Sequence, residues 1–237
     1  MLGMKRALAA ALLLLSATGL AQSTVDTAAA LKAVTPDLDA RLARFKVVKM
    51  PYDASKLTQR ERDMVEQLVV ALRALESMYW RQSDPNALAL YNALESDSTP
   101  LAQKLRRYIF INGSTFDLVD GNKPFVGTAL MPPGHALYPA GLTRADVEAY
   151  VTRNPNRKAA IYSPYSVVTR TGPGGRDLSG EWYHSKFVEF TRPAAAALRR
   201  AAELSDDPAF ANFLRLRATA ILTDDYYNSE DRKSTRL

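Results

Sequence analysis

Two histidines are the main candidates for catalysis or metal binding, because the chain contains no cysteine. Cysteine nucleophiles and thiolate metal sites are therefore excluded. His135 and His184 lie far apart in the sequence. Neither begins the His-Glu-x-x-His pattern, which places two zinc ligands on one face of a helix. From the residues alone we therefore assign no catalytic residue and no metal ligand.

The segment 120–143, DGNKPFVGTALMPPGHALYPAGLT, combines prolines and glycines that favour a stiff, irregular loop. Such a loop could form one wall of a substrate cleft, since binding residues are often carried on loops. Its candidate substrate-binding residues are Asn122, Lys123, His135 and Tyr138. The alternative is a structural loop that covers the helical stretches 58–80 and 99–111, with His135 bonded to nearby backbone.

A second polar stretch, LTDDYYNSED, places Asp224 and Asp225 just after a predicted helix. Negative charge is unfavourable at the C-terminal end of a helix, so these carboxylates need a reason to be there. They could cap the next segment, face a cation or a substrate ammonium, or form a solvated turn. The sequence leaves these alternatives open.

The elements that must position these residues are mostly helices. Caps predict helix starts at Thr58, Asp84-Pro85, Thr99-Pro100, Thr143 and Asp207-Pro208. Thr58 and Glu61 form a capping-box pattern. The apolar face predicted for the first of these helices consists of Met64, Leu68, Leu72, Leu75 and Tyr79. For the third helix we expect Leu101, Leu105, Tyr108 and Ile109 to be buried, with Asn112-Gly113 ending it.

The β structure is expected to be small. The stretches YSPYSVVTRT and RDLSGEWYH flank the turn TGPGGR and predict a hairpin. A short strand or extended entry is also expected around Phe45–Val48. Pro193 lies inside a helical pattern, so that helix is either kinked or divided in two. The fold class predicted is mainly α with a small β element (α+β).

Residues 1–21 have the pattern of a secretory signal peptide, with Lys5 and Arg6 before an apolar run and small residues before Gln22. We therefore expect an exported protein, periplasmic or secreted, without a membrane anchor after cleavage. The net charge is +6, but the basic residues form no stripe with interleaved aromatic residues. Nucleic acid is therefore not an expected partner.

Four stretches together resemble a known family: DGNKPF at 120–125, PPG with YPAGLT, SPYSVV, and DPAFANFLRLRATAILTDDYYNS. Residues 42–231 resemble the N-terminal part of bacterial proteins related to dipeptidyl-peptidase III, which are zinc-dependent hydrolases. The match is specific in DGNKPF and in DDYY. The resemblance implies the helix-rich N-terminal portion of a two-lobed metallopeptidase acting on a peptide or a small amide-like substrate.

The resemblance also implies that zinc is bound only in the full-length protein. The family's zinc site uses a helix with two histidines and a glutamate, helped by a further downstream glutamate, and these elements follow the matched region. We therefore expect residues 22–231 to be an inactive N-terminal portion that leaves apolar surface uncovered. Residues 232–237, RKSTRL, resemble translated adapter sequence and are expected to be non-native. One alternative is a complete, non-catalytic periplasmic binding or scaffold protein. A second alternative is a hydrolase of another chemistry within the same broad family.

Overall fold

The computed structural model describes residues 25–230 of the 237-residue chain. The expected signal peptide, 1–21, and the expected tail, 232–237, lie outside the described residues. The helices are α1 (Thr27–Lys32), α2 (Leu38–Ala43), α3 (Gln59–Ser83), α4 (Pro85–Ala93), α5 (Pro100–Asn112), α6 (Arg144–Arg153), α7 (Lys158–Ile161), α8 (Tyr183–Lys186), α9 (Val188–Leu204), α10 (Pro208–Thr223) and α11 (Tyr227–Glu230). Short 3-10 turns cover Ala54–Lys56, Pro155–Arg157 and Pro173–Gly175.

Two antiparallel hairpins contain the strands of the described residues, and an isolated β-bridge joins Val34 to Val126. In the first, β1 (Phe116–Asp117) pairs with β2 (Lys123–Pro124). In the second, β3 (Ser166–Thr171) pairs with β4 (Asp177–Trp182), as the sequence predicted. The predicted fold class, mainly α with a small β element, is confirmed.

The long helix α3 begins as predicted. The side chain of Thr58 accepts from the amide of Glu61, and the Glu61 carboxylate accepts from the amide of Thr58. The predicted apolar face is partly wrong. Ala71 is buried, whereas the side chains of Leu72 and Tyr79 are 64% and 47% exposed. The stripe that faces the core therefore consists of the buried Ala71 and the partly buried Met64, Leu68 and Leu75. Met64 and Ala71, like Leu68 and Leu75, are seven residues apart, or about two helical turns.

Helices α3, α9 and α10 share one apolar cluster. Small residues of α9, among them Ala195, Ala201 and Ala202, are buried there, which allows close approach of the neighbouring helices. Pro193 lies within the single helix Val188–Leu204, and the break that separates α8 from α9 is at Phe187. The proline therefore does not divide the helix.

A second cluster joins α2, α4 and α5 to Phe125. Helices α4 and α5 start at the predicted Asp-Pro and Thr-Pro pairs, and Gly113 ends α5 in the left-handed conformation with φ of 61°. Leu105, Tyr108 and Ile109 are fully buried as predicted. Leu101 is 42% exposed, so its predicted burial is wrong. A third cluster joins α6 and α7 to the β3–β4 hairpin.

Of the two expectations for 45–48, a strand or an extended entry, the strand is wrong. Phe45 packs beside Tyr108 with ring centroids 6.0 Å apart, but the next seven residues form neither helix nor strand. Val47 and Val48 are 80% and 75% exposed. A short apolar alternation forms a strand only when another strand is available to pair with it, and none of the described strands does so. Within residues 25–230, no helix has the length and apolarity needed to cross a membrane.

Candidate functional site

The irregular segment after β2 is held by backbone hydrogen bonds to three elements. Near its start, the amide of Gly127 donates to the carbonyl of Ala33 at 2.9 Å. Near its end, the amide of Ala136 donates to Gln82 at the end of α3, at 3.3 Å. The carbonyl of Leu137 accepts from the amide of Val168 in β3 at 2.8 Å. The segment is therefore fixed at both ends, as the prediction of a stiff loop requires.

Two turns within residues 120–143 use left-handed backbone at a glycine and at the residue after it. Gly121 and Asn122 have φ of 60° and 59°, the φ pattern of a type I′ turn, and join β1 to β2. His135 has φ of 55° after Gly134 at 77°. Asn and His adopt this region more readily than most residues with a side chain. The position of the His135 side chain is therefore set by an unusual backbone conformation.

One wall of an open cleft of about 430 Å³ is formed by residues of this segment. We call it the α3–α4 cleft, because its opposite wall is the junction between these two helices. Its polar lining side chains are Ser83, Asp84, Asn86, Thr115 and His135, and its apolar lining includes Leu130, Met131 and Pro132. A cleft of this size with a few polar groups on an apolar lining is typical of a ligand site.

The carboxylate of Asp84 fixes the floor of the α3–α4 cleft. One oxygen caps α4 by accepting from the amide of Ala87 at 3.0 Å. The other oxygen accepts from the amide and the hydroxyl of Thr115, at 3.2 and 3.1 Å. Asp84 therefore ties the start of α4 to the residue before β1. The sequence identified its capping role from the Asp-Pro pair but gave no signal for the contact with Thr115.

Tyr138 lies between the α3–α4 cleft and a second cleft of about 470 Å³ beside α6. Its hydroxyl donates to the carbonyl of Ile161 at 2.8 Å. Burial raises the pKa of Tyr138, and the neighbouring Tyr162 raises it further. Tyr138 therefore lines both clefts in its neutral form, and its ring can contact a ligand in either one. Its hydroxyl is occupied by the hydrogen bond to Ile161.

The four predicted substrate-binding residues do not all lie together. His135 and Tyr138 line the same cleft. Asn122 and Lys123 lie at the β1–β2 turn, are exposed, and line neither of the two clefts. The ammonium of Lys123 pairs with the carboxylate of Asp120 at 3.0 Å. The role of Asn122 and Lys123 in substrate binding stays a prediction.

The β1–β2 turn is held by the fully buried carboxylate of Asp117. It accepts from Arg41 at 3.2 Å, Arg44 at 2.6 Å and the hydroxyl of Tyr108 at 2.7 Å. Its second oxygen accepts from the amide of Val119 at 3.1 Å. Burial raises the pKa of Asp117, but the hydrogen bonds from Tyr108, Arg44 and Val119 outweigh it and hold the pKa below its ordinary value.

The two aspartates after α10 have different roles. Asp224 ends α10 with φ of 58°, is buried, and accepts from the amide of His184 at 3.2 Å. Its carboxylate also lies 2.7 Å from Nδ1 of His184. Asp225 is exposed and accepts from the amide of Tyr227 at 3.2 Å, so it caps the next segment. The capping alternative is thus confirmed for Asp225, and a solvated turn is wrong for Asp224.

The described residues do not fit a catalytic zinc ion. Within 25–230, no group of three or more histidine, aspartate or glutamate side chains is placed to hold a metal ion. A catalytic zinc requires about three protein ligands in fixed geometry.

No family model matches the chain, but two solved structures are similar to it. The structure of dipeptidyl-peptidase III from Caldithrix abyssi superposes with a TM-score of 0.74 and 30% sequence identity, over 82% of this chain and 36% of that one. Dipeptidyl-peptidase III from Corallococcus sp. strain EGB gives the same TM-score and identity, over 84% of this chain and 37% of that one. The resemblance stated from the sequence is thereby confirmed.

A more distant sequence similarity is to Nudix hydrolase 3 of Arabidopsis thaliana. It is 21% identical over 244 residues, covering 81% of this chain and 31% of that protein. The chain thus spans about a third of the length of each of these three proteins. The similarity concerns a part of these larger proteins.

Proposed function

We propose that this chain contributes a peptide-binding wall to an exported, zinc-dependent hydrolase of the peptidase type. The observation that carries the proposal is the similarity, at 30% identity, to two proteins named dipeptidyl-peptidase III. The catalytic zinc would be held by residues of a longer protein, beyond residues 25–230. In that arrangement the chain binds and orients the substrate but performs no hydrolysis by itself.

The α3–α4 cleft is the surface we propose for peptide binding. A peptide backbone offers alternating donors and acceptors, which Asn86 and the imidazole of His135 can match. The apolar wall around Met131 and Pro132 would contact a side chain of the peptide. Because Asp84 already accepts three hydrogen bonds, it orients the cleft and is not the main contact.

A peptide titration tests this proposal. An unstructured hexapeptide with a fluorescent label is added to the 237-residue chain, and anisotropy gives the dissociation constant. We expect Asn86→Ala and His135→Asn to weaken binding about fivefold each, the loss of about one hydrogen bond. Asparagine is chosen at position 135 because it tolerates the left-handed backbone.

The matched control is Asn228→Ala, an exposed amide that lines neither cleft. Unchanged binding in both cleft variants, or equal weakening in the control, would contradict the proposal. Lys123→Ala belongs in the same series. Weakened binding with unchanged thermal stability would support the prediction for the β1–β2 turn, whereas a stability loss alone would make that turn structural.

The alternative of a non-catalytic binding or scaffold protein predicts the same peptide binding, so hydrolysis must distinguish the two. The longer protein that carries this region should release dipeptides, and chelation should abolish the release. Binding without any hydrolysis in that protein would favour the alternative.

Export is a separate part of the proposal. It rests on the apolar run and the small residues before Gln22. Protein recovered from the periplasm or the culture medium should begin near Gln22 when its N-terminus is sequenced. Recovery there with Met1 intact would contradict the signal-peptide interpretation.

A further inference from the structure

Three arginines converge on a small cleft between α6 and the turn of the β3–β4 hairpin. The cleft measures about 250 Å³ and is lined by Arg153, Arg170 and Arg176. We call it the arginine cleft. It is separate from the α3–α4 cleft, with which it shares no lining residue.

The elements that line the arginine cleft pack against each other. Val147, Val151 and Leu178 are buried where α6 packs on the hairpin, and the hydroxyl of Tyr150 donates to the carbonyl of Leu178 at 3.2 Å. Arg153 ends α6 and follows Tyr150 by three residues, so both lie on the same side of the helix. The positions of the arginines are therefore set by packed elements.

The guanidinium groups of the arginine cleft lack a matching set of counter-charges. Within residues 25–230, salt bridges engage other arginines, such as Arg60, Arg106 and Arg144, and none of these three. The Nε of Arg153 donates to the carbonyl of Ala149 at 3.2 Å, and Nη1 of Arg170 lies 3.5 Å from the carbonyl of Gly175.

Asp146 is the acidic residue among those that line the arginine cleft. Its carboxylate is held by the hydroxyl and the amide of Thr143, at 2.6 and 3.0 Å, in the capping box of α6. Those two hydrogen bonds lower the pKa of Asp146, and the charge of Arg170 lowers it slightly more. One carboxylate against three guanidinium groups leaves a net positive charge in the cleft.

From this arrangement we propose that the arginine cleft binds an oxyanion, a phosphate or a carboxylate group. Guanidinium groups present planar forks of N–H donors that match the oxygens of such groups. An anion seated between them would also relieve their mutual repulsion. Because the arginines are exposed, the affinity should be modest, on the order of 1 mM, and should weaken as ionic strength rises.

The test is a titration of the 15N-labelled chain with sodium phosphate and, in a second arm, with sodium glutarate, each at an ionic strength matched with sodium chloride. We expect saturable shifts of amide signals in 149–153 and 170–178. Binding of phosphate alone would assign a phosphate group, binding of glutarate alone a carboxylate, and binding of both a general oxyanion site. Saturation by neither anion would overturn the proposal.

Substitutions then locate the site. Arg170→Gln and Arg176→Gln should each weaken binding about fivefold, as expected when a charge-assisted contact is lost in an exposed setting. Arg200→Gln removes the same charge from the exposed face of α9 and should leave the affinity unchanged. Equal weakening in all three variants would mean a general charge effect and would overturn the proposal. Unchanged circular dichroism would show that each variant is folded.

Discussion

At the scale of single residues, Asp117 has the largest expected effect on stability. Its carboxylate is fully buried and joins two arginines of the N-terminal part to the tyrosine of α5. Removing one member of such a group leaves the others without a partner in a low-dielectric site. We expect Asp117→Asn to lower the free energy of unfolding by about 2–4 kcal/mol at neutral pH. Urea denaturation measures this change.

The pH dependence of Asp117 has a defined sign. Its pKa is lower in the folded chain than in the unfolded chain, so the folded state binds fewer protons. Its contribution is complete above pH of about 4 and is lost as the pH falls through the folded pKa. Asp117→Asn should therefore lose stability less steeply below pH 4 than the parent chain does. Asp39→Asn, which alters an exposed pair with Lys104, should match the parent.

Asp224 combines a backbone requirement with a side-chain requirement. Its φ of 58° favours asparagine and aspartate over alanine, and its carboxylate accepts from the amide of His184. We expect Asp224→Ala to lower the free energy of unfolding by about 3 kcal/mol, and Asp224→Asn by about 1 kcal/mol. Thermal unfolding of both variants checks the order. An equal loss in the two would show that the left-handed backbone contributes nothing.

At the scale of elements, helix starts were predictable and buried faces less so. Asp-Pro and Thr-Pro pairs act within a few residues of the chain, so the starts of α4, α5 and α10 followed from sequence. Which stripe of α3 is buried depends on where α9 lies. The sequence therefore assigned Leu72 to the core in place of Ala71.

Gly180 controls the contact between β4 and α7. A Cβ atom added there would lie 2.5 Å from the carbonyl oxygen of Ala160, which is backbone and cannot rotate away. We expect Gly180→Ala to separate α7 from the hairpin and to cost about 2 kcal/mol or more. Gly141→Ala is the control, since φ of 73° there strains an alanine but nothing lies within 4 Å. It should cost about 1 kcal/mol, from backbone alone. Equal losses, measured by denaturation, would contradict the packing argument.

The sequence predicted which segment carries the candidate site, but it did not predict which residues lie opposite that segment. Prolines and glycines identified the stiff loop, and His135 and Tyr138 do line a cleft. The opposite wall comes from Asp84 and Asn86, and no local pattern connects those residues to the loop. The arginine cleft was missed for the same reason: Arg153 and Arg176 come together only through the packing of α6 on the hairpin.

At the scale of the whole molecule, apolar surface remains exposed on residues 46–52. Part of this segment was predicted to be a strand or an extended entry. Between Phe45 and Asp53, Val47, Val48, Met50 and Tyr52 are all at least two-thirds exposed, at 80%, 75%, 87% and 67%. No backbone hydrogen bond joins residues 46–52 to the rest of the described chain. Consecutive apolar side chains in water are costly and favour contact with other apolar surfaces.

We therefore expect the 237-residue chain to bind Nile red, a neutral apolar dye, and expect residues 46–52 to account for much of that binding. The double variant Val48→Ser/Met50→Ser should lower the dye fluorescence by at least about a third, because it removes two of the most exposed apolar side chains. Lys46→Ser/Lys49→Ser alters the same segment without removing apolar side chains and should leave the signal unchanged. A neutral dye is required because an anionic one would respond to the loss of the lysines. Equal fluorescence in the parent and the Val48/Met50 variant would show that this segment is covered in solution.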